Sequence, residues 1–356
     1  MSHLIFEKFD YKKNLSAQRE LFKDAFPEVS EASVDSYNWL LQSFPGDKAH
    51  SYEYSAHINN EMVGFYAAIP YRYKIQTKVT NIGMVCGVMT SSKHRGKGIF
   101  TKLGAYSLND LKEHVSFTTG FPIRKEVIPG HLKVGWKIAF ELPLYIKFLK
   151  VNSLLKNKFR NLSFLTPFAN SILYVYNKFL NKKLKHHKYS IIVHDNIPDY
   201  KKMDLFESKW HTENQISLIR DERFLKWRYN RPKTTYKFVI VEKENEICGF
   251  CSFRKIIKEG VPSYGIMDLR VHEEDNVALN LIYQTIEEEA TKENVEAILL
   301  MISKLYASKY KLIKNRFIKS PFKFQLIINN LRKDYPDSFL SDESNWHLMW
   351  VDSDDL

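Results

Sequence analysis

Val88-Met89-Thr90-Ser91-Ser92-Lys93-His94-Arg95-Gly96-Lys97-Gly98-Ile99-Phe100 is the stretch on which the reading of this chain turns. A β-rich run ends at a polar turn, two glycines follow, and a helix opens with Phe100, Leu103, Gly104 and Leu111 on one face. Glycines at such a junction let the backbone approach a ligand closely. The free N–H groups of a first helical turn form an anion site, reinforced by the helix dipole at roughly 0.3–1 kcal/mol per interaction. Arg95 and Lys97 add full positive charge. The stretch therefore reads as a cradle for a pyrophosphate; the plain alternative is an ordinary glycine-containing helix start. A phosphate loop of Walker type is excluded because the Gly-x4-Gly-Lys-Ser/Thr spacing is absent, and the three-glycine dinucleotide fingerprint is absent too.

Outward from this stretch the chain reads as a repeat. Tyr37-Asn38-Trp39 leads to paired strands at Tyr52–Ile58 and Met62–Ile69 with a turn at Asn59-Asn60. Phe224-Leu225-Lys226-Trp227-Arg228-Tyr229 leads to a second pair at Tyr236–Val241 and Ile247–Phe253 with a turn at Glu244-Asn245. Each half continues strand, helix, strand: Gly83–Thr90, Lys97–Glu113 and Val115–Thr119, then Tyr264–Val271, Asn276–Ala290 and Val295–Ile302. Helices between strands predict α/β halves, each a mixed sheet flanked by helices. The expected division is residues 1–145 with the cradle, a basic connector at 146–195, and a second domain at 196–356. In the second half the cradle position reads Val271-His272-Glu273-Glu274-Asp275-Asn276, whose acids would repel a pyrophosphate.

The 356 residues, 44% apolar and 26% charged, exclude wholesale disorder, collagen and coiled coil. No run approaches the roughly 18 apolar residues of a membrane span, so stable membrane insertion is not expected. Three cysteines (Cys86, Cys248, Cys251) and an N-terminus without an apolar signal core predict a cytoplasmic protein. Net charge is +12, yet Leu142 to His194 alone holds ten cations and no acidic residue, whereas every charged residue after Lys333 is acidic. Phe168, Ile172, Val175 and Phe179 recur there at helical spacing after Thr166-Pro167. The expectation is a connector helix packed by its apolar stripe with a solvated basic face; a phosphate-binding edge or an anionic membrane surface is the alternative. Aromatics are not interleaved with the cations as a stacking platform requires, so no nucleic acid is expected. Cys248-Gly-Phe-Cys251 has metal or redox spacing, but on a strand the two side chains point to opposite faces. His186-His187 has no carboxylate nearby, so no metal is expected. Asp268, between Met267 and Leu269 on a strand expected to be mostly buried, is singled out as an interdomain or substrate contact.

Arg95-x-x-Gly98-x-Phe100 resembles the acetyl-CoA signature of the GNAT superfamily, Arg/Gln-x-x-Gly-x-Gly/Ala, departing at Phe100 where a small residue is usual. The resemblance implies an acetyl-CoA-dependent acyltransferase of tandem GNAT type with one degenerate domain. It places Val88, Met89, Thr90, Arg95, Gly96, Lys97, Gly98, Ile99 and Phe100 around the co-substrate, with Phe117 to Gly120 opposite. Relatives carry a tyrosine acid four residues before a Gly-aromatic pair; the pair here is Gly135-Trp136, and His131 holds that position, either as the acid or as a polar helix residue. The strand Met84–Met89 lacks the carboxylate that relatives use as base, which leaves Glu53, His57, Asp47, Glu126, water or the substrate itself. Gly120-Phe121-Pro122, Ile128–Trp136 and Phe224–Tyr229 look similar to nucleotide-sugar N-acetyltransferases of surface-polysaccharide biosynthesis. That likeness implies a nucleotide-linked amino-deoxysugar as partner, such as a dTDP-3-amino-3,6-dideoxyhexose, with Arg124 and Lys125 toward the acceptor. The alternatives are an aminoacyl-tRNA-dependent peptidyl transferase and a non-catalytic, membrane-peripheral sensor of acyl-CoA.

Overall fold

The computed structural model describes residues 4–27, 33–122, 124–178, 188–211, 214–272 and 275–353. The first half runs β1 (Leu4–Lys8), α1 (Tyr11–Ala25), α2 (Val34–Tyr37), β2 (Tyr52–Ile58), β3 (Glu61–Ile75) and β4 (Lys78–Thr90). It continues through α3 (Ile99–Leu111), β5 (Thr118–Gly120), α4 (Ile128–Lys133) and β6 (Lys137–Phe148). Two helices, α5 (Asn152–Lys158) and α6 (Thr166–Lys178), form an arm. The second half opens with β7 (Tyr189–His194), α7 (Tyr200–His211), β8 (Ile216–Leu218), α8 (Glu222–Tyr229), β9 (Lys237–Lys243) and β10 (Glu246–Lys258). It ends with β11 (Val261–Val271), α9 (Asn276–Lys292), β12 (Ala297–Met301), α10 (Lys304–Lys309), β13 (Ile318–Asn329), α11 (Asp337–Ser341) and β14 (Trp346–His347).

Local chemistry accounts for the repeated hairpins. Asn59-Asn60 and Glu244-Asn245 both adopt consecutive positive φ angles (50° and 66°, then 53° and 68°), the paired left-handed conformation of a tight two-residue hairpin turn. Gly64 and Gly249 are also equivalent. A side chain at Gly64 would strike Ile99 and Leu103 of α3 at 3.2 Å, and one at Gly249 would strike Ile282 of α9 at 3.1 Å. The glycine of each Gly-Phe pair thus lets its helix settle onto the sheet. Trp39 and Trp227 stack on each other, ring centroids 5.1 Å apart and 8° from parallel. Each indole N–H donates to the other's carbonyl oxygen at 2.7 Å. The repeat is therefore a pseudo-symmetric pair whose matching tryptophans meet.

The two sheets merge into one of fourteen strands, ordered β1-β2-β3-β4-β5-β13-β6-β12-β11-β10-β9-β7, with β8 bridging β3 and β14. β13 pairs antiparallel with β5 and β6, while β6 pairs antiparallel with β12. Each half is thus completed by a strand of the other, and the boundary expected at 145 falls inside β6. Asp268 lies fully buried between Arg270 Nε at 2.9 Å and Arg220 Nε at 3.5 Å. Arg220 also reaches Asp352 at 3.1 Å, and the Tyr73 hydroxyl of β3 donates to Asp352 at 2.9 Å. The flagged carboxylate therefore belongs to an ionic cluster that ties the halves together.

The arm departs from expectation. Phe168, Ile172 and Val175 face outward, whereas Asn170 and Asn177 turn inward to bond the body. Several cations of this segment are spent on acids or amides of the second half: Lys147 pairs with Glu287, Lys150 with Asn294 and Lys158 with Glu259. Phe179, the lysines at 182, 183 and 185, and His186-His187 lie outside the described residues. Among the described residues no helix is long and apolar enough to cross a membrane.

Candidate active site

β4 carries a bulge where it faces β3: Phe65 lies opposite Met89 but Ala67 opposite Cys86, so one extra residue is accommodated near Gly87 and Val88. On its other side β4 pairs with β5 only at Gly83 and Met84. From Val88 to Thr90 that edge has no strand partner among the described residues. Beyond Thr90 a short 3₁₀ turn (92–94) leads to Gly96 and Gly98, both left-handed with φ of 78° and 74°. Gly98 caps α3 with no side-chain hydrogen bond. The first N–H groups of α3 consequently point out of the helix without an intrahelical acceptor.

These features enclose a cleft of about 700 Å³. Val88, Met89, Thr90, Arg95, Gly96, Gly98, Ile99 and Phe100 line it together. Of the expected loop residues, Lys97 is exposed beside the cleft rather than on its wall. Arg124, expected toward the acceptor, lines the same cleft as the signature loop. Lys125 is exposed in the following turn, and Glu126 stands on the wall instead.

The loop is held from a direction the sequence did not suggest. Ser92 donates its backbone N–H and its hydroxyl to Asp24 near the end of α1, at 2.7 and 2.5 Å. These bonds hold the Asp24 carboxyl below its ordinary range. Arg95 and Arg124 both donate to the Ala25 carbonyl, at 3.5 and 3.3 Å, and Arg124 lies over the Phe26 ring at 4.9 Å. The C-terminal end of α1 therefore meets two guanidinium groups, which suits the helix dipole. Asp24, Ala25 and Phe26 carry no local signal of this duty, because the contact joins segments about 70 residues apart.

Phe100, bulky where relatives have a small residue, is accommodated by a missing side chain elsewhere. A Cβ on Gly130 would lie 2.6 Å from the Phe100 ring. The same ring meets His131 edge-on at 4.9 Å, and Trp136 meets the other side of His131 at 5.0 Å. His131 is buried between them, and burial pushes its imidazole down to about 4. Its spacing to Gly135-Trp136 has a structural cause. Trp136 N–H donates to the His131 carbonyl at 3.3 Å and Gly135 N–H to Leu132 at 3.2 Å. This is the hydrogen-bond pair of a Schellman helix stop, with left-handed Gly135 (φ 88°) and the accompanying side-chain contact. His131 is thus neutral, packed and off the cleft wall, and the acid role expected of it does not fit this geometry.

Glu53 is buried on β2 and accepts hydrogen bonds from Tyr37, from Gln42 at 2.6 Å and from Ser51 at 2.6 Å; burial raises its carboxyl. Arg19 lies over Tyr37 at 4.9 Å and completes this network. Asp47 is engaged by Arg223 at 3.1 Å, and His57 by Glu7 at 3.2 Å. None of these three lines the cleft; of the base candidates only Glu126 does. Cys86, Cys248 and Cys251 are buried, and burial pushes the Cys248 thiol up to about 12. Among the described residues no three His, Cys, Asp or Glu side chains gather as a metal site.

The residues present suit an acyl-CoA. Left-handed glycines, open N–H groups and two guanidinium groups fit a diphosphate, and the unpaired edge of β4 offers backbone partners to an amide-bearing chain. The matching place in the second half borders a cavity of about 440 Å³ lined by Val271, His272, Asp275 and Asn276, but it already carries an acid. Asp275 caps α9 by accepting from Ala278 N–H at 2.9 Å and from the Tyr189 hydroxyl, so a carboxylate already holds the anion position.

Residues 11–139 match the family described as Acetyltransferase (GNAT) domain. No curated protein matches the chain. A probable N-acyltransferase of unknown function from Enterococcus faecalis is similar in structure, with a TM-score of 0.65 at 14% identity over 93% of this chain and 73% of that one. A GCN5-related N-acetyltransferase from Anabaena variabilis gives 0.64 at 11% identity over 92% and 73%. N-myristoyltransferase from Saccharomyces cerevisiae, solved with bound myristoyl-CoA, gives 0.62 at 13% identity over 93% and 79%. The structural likenesses show the fold, and the match of residues 11–139 to the GNAT acetyltransferase domain supports acyl transfer as the class of reaction. The fold is that of tandem GNAT proteins, and the cleft lies within the segment that matches the GNAT acetyltransferase domain.

Proposed function

We propose that the chain transfers an acetyl group from acetyl-CoA to the amine of a nucleotide-linked amino-deoxysugar, in the cytoplasm, for surface-polysaccharide assembly. The observation that carries the donor half is the left-handed pair Gly96 and Gly98 opening α3 beside the unpaired edge of β4. Acetyl-CoA supplies an activated thioester. The chain's own part is to hold the diphosphate with α3 amides, Arg95 and Arg124, and to keep the pantetheine extended along Val88–Thr90. Backbone N–H groups at the bulge polarise the thioester carbonyl, a kind of stabilisation that commonly dominates acyl transfer. The amine nitrogen attacks the thioester carbon and the C–S bond breaks; with His131 packed away, water carries the proton that the amine loses to the departing thiolate. The sugar half rests on the sequence resemblance of Gly120–Pro122, Ile128–Trp136 and Phe224–Tyr229.

Free-thiol release from acetyl-CoA, measured with dTDP-, UDP- and GDP-linked amino sugars, tests this reading. Turnover with one nucleotide class is expected. Silence across the panel with CoA binding intact would overturn the sugar and move the acceptor to a peptide, lipid or tRNA. Longer acyl-CoA donors in the same assay read the chain length. Calorimetry of Gly98→Val tests the cradle separately. A β-branched residue is forced out of φ 74°, at a cost of roughly 1–2 kcal/mol, so CoA affinity should fall about tenfold or more. Unchanged affinity would remove the cradle assignment.

A further inference from the structure

The arm of α5 and α6 is built with its polarity reversed. Amides tie it down: Asn157 donates to Gly260 O at 3.2 Å and Asn177 to Phe148 O at 3.1 Å, while Asn170 donates to Asn152 of α5 at 2.7 Å and joins the two helices of the arm. Its large apolar side chains face out. Phe164 is 75% exposed and Phe168 69%, with Phe159, Leu162, Ile172 and Val175 exposed beside them. Single exposed apolar residues are ordinary, but a contiguous set on one element marks a surface that something covers.

Charge indicates what covers it. Lys156 and Arg160 are exposed on the same arm, and no acidic residue occurs anywhere from Leu142 to His194. A second copy docking arm to arm would be self-complementary by symmetry and would set cation against cation. An anionic bilayer instead accepts both features at once, apolar side chains into the acyl boundary and cations at the headgroups. We infer that the arm spanning 152–178 is a peripheral docking element for anionic lipid surfaces, seated in the interface without crossing it. The inference is independent of the acceptor proposed above.

Flotation with phosphatidylcholine vesicles containing about 30% phosphatidylserine, against phosphatidylcholine alone, tests it. The full chain should float with the anionic vesicles and lose binding as salt is raised. The triple variant Phe164→Asn/Phe168→Asn/Ile172→Asn should partition at least about tenfold less, and Lys156→Glu/Arg160→Glu several-fold less. Calorimetric CoA binding should be unchanged in both, which confirms folding and separates this surface from the cleft. Failure to float, or equal flotation of the triple variant, would overturn the inference. A micromolar dimer that dissociates only in the triple variant would overturn it too and assign the face to a second copy.

Discussion

His131 and Gly130 show how a motif with a catalytic look resolves into packing. The imidazole sits between Phe100 and Trp136 and is held down to about 4, against an ordinary value near 6.5. In the unfolded chain the same histidine takes up a proton as pH falls through 6.5, while in the folded chain it resists until about pH 4. The folded state therefore loses stability across that window as pH falls, on the order of 2 kcal/mol between pH 6.5 and 5 from this one group. His131→Leu should keep acetyl transfer within a few-fold and flatten the fall in urea-melt stability between pH 7 and 5. A large loss of turnover with stability unchanged would restore the acid role. Gly130 predicts a coupling. Gly130→Ala should drive the Phe100 ring into the cleft and weaken CoA binding, and adding Phe100→Ala should recover most of that loss. Additive losses in the double variant would show that the two sites do not communicate through this contact.

At the level of elements, what the sequence made legible was local. The strand before the signature, the two glycines, the α3 start and both hairpin turns all depend on residues within about ten positions of each other. Asn59-Asn60 and Glu244-Asn245 announce their turns because asparagine tolerates left-handed backbone. The tether of the signature loop to α1 was not legible, since a lone aspartate at position 24 looks like any solvated helix residue. The arm was legible as a helix but not in its orientation, because period alone does not say which face meets the protein. The tether makes its own prediction. Asp24→Ala releases two hydrogen bonds from Ser92, so the turn carrying Arg95 and Gly96 loses its brace. CoA affinity should drop several-fold. Ser92→Ala removes only the hydroxyl bond and should cost less, and the double variant should cost no more than Asp24→Ala alone. An Asp24→Ala chain with wild-type affinity would mean that the two arginines on Ala25 suffice.

For the whole molecule, the exchange of β6 and β13 matters more than the repeat itself. A strand that completes a sheet more than a hundred residues away leaves no trace in local pattern, which is why a division at 145 looked natural and yet cuts β6. Once made, the exchange removes independent halves. Without β13 the first half would expose the edge of β5, and without β6 the second would expose β12, each an invitation to aggregate. The stacked Trp39 and Trp227, hydrogen-bonded to each other's carbonyls, and the Tyr73–Asp352–Arg220 chain add buried links across the same seam. The halves should therefore unfold together. Calorimetry of the full chain should give one endotherm, and Trp39→Ala, which opens a cavity beneath its partner indole, should lower stability by about 3–5 kcal/mol. The single transition should persist in that variant, because the exchanged strands still bind the halves. Two resolved endotherms in the wild type would show that the exchange does not couple them. Two in Trp39→Ala alone would place the coupling in the tryptophan pair rather than in the strands.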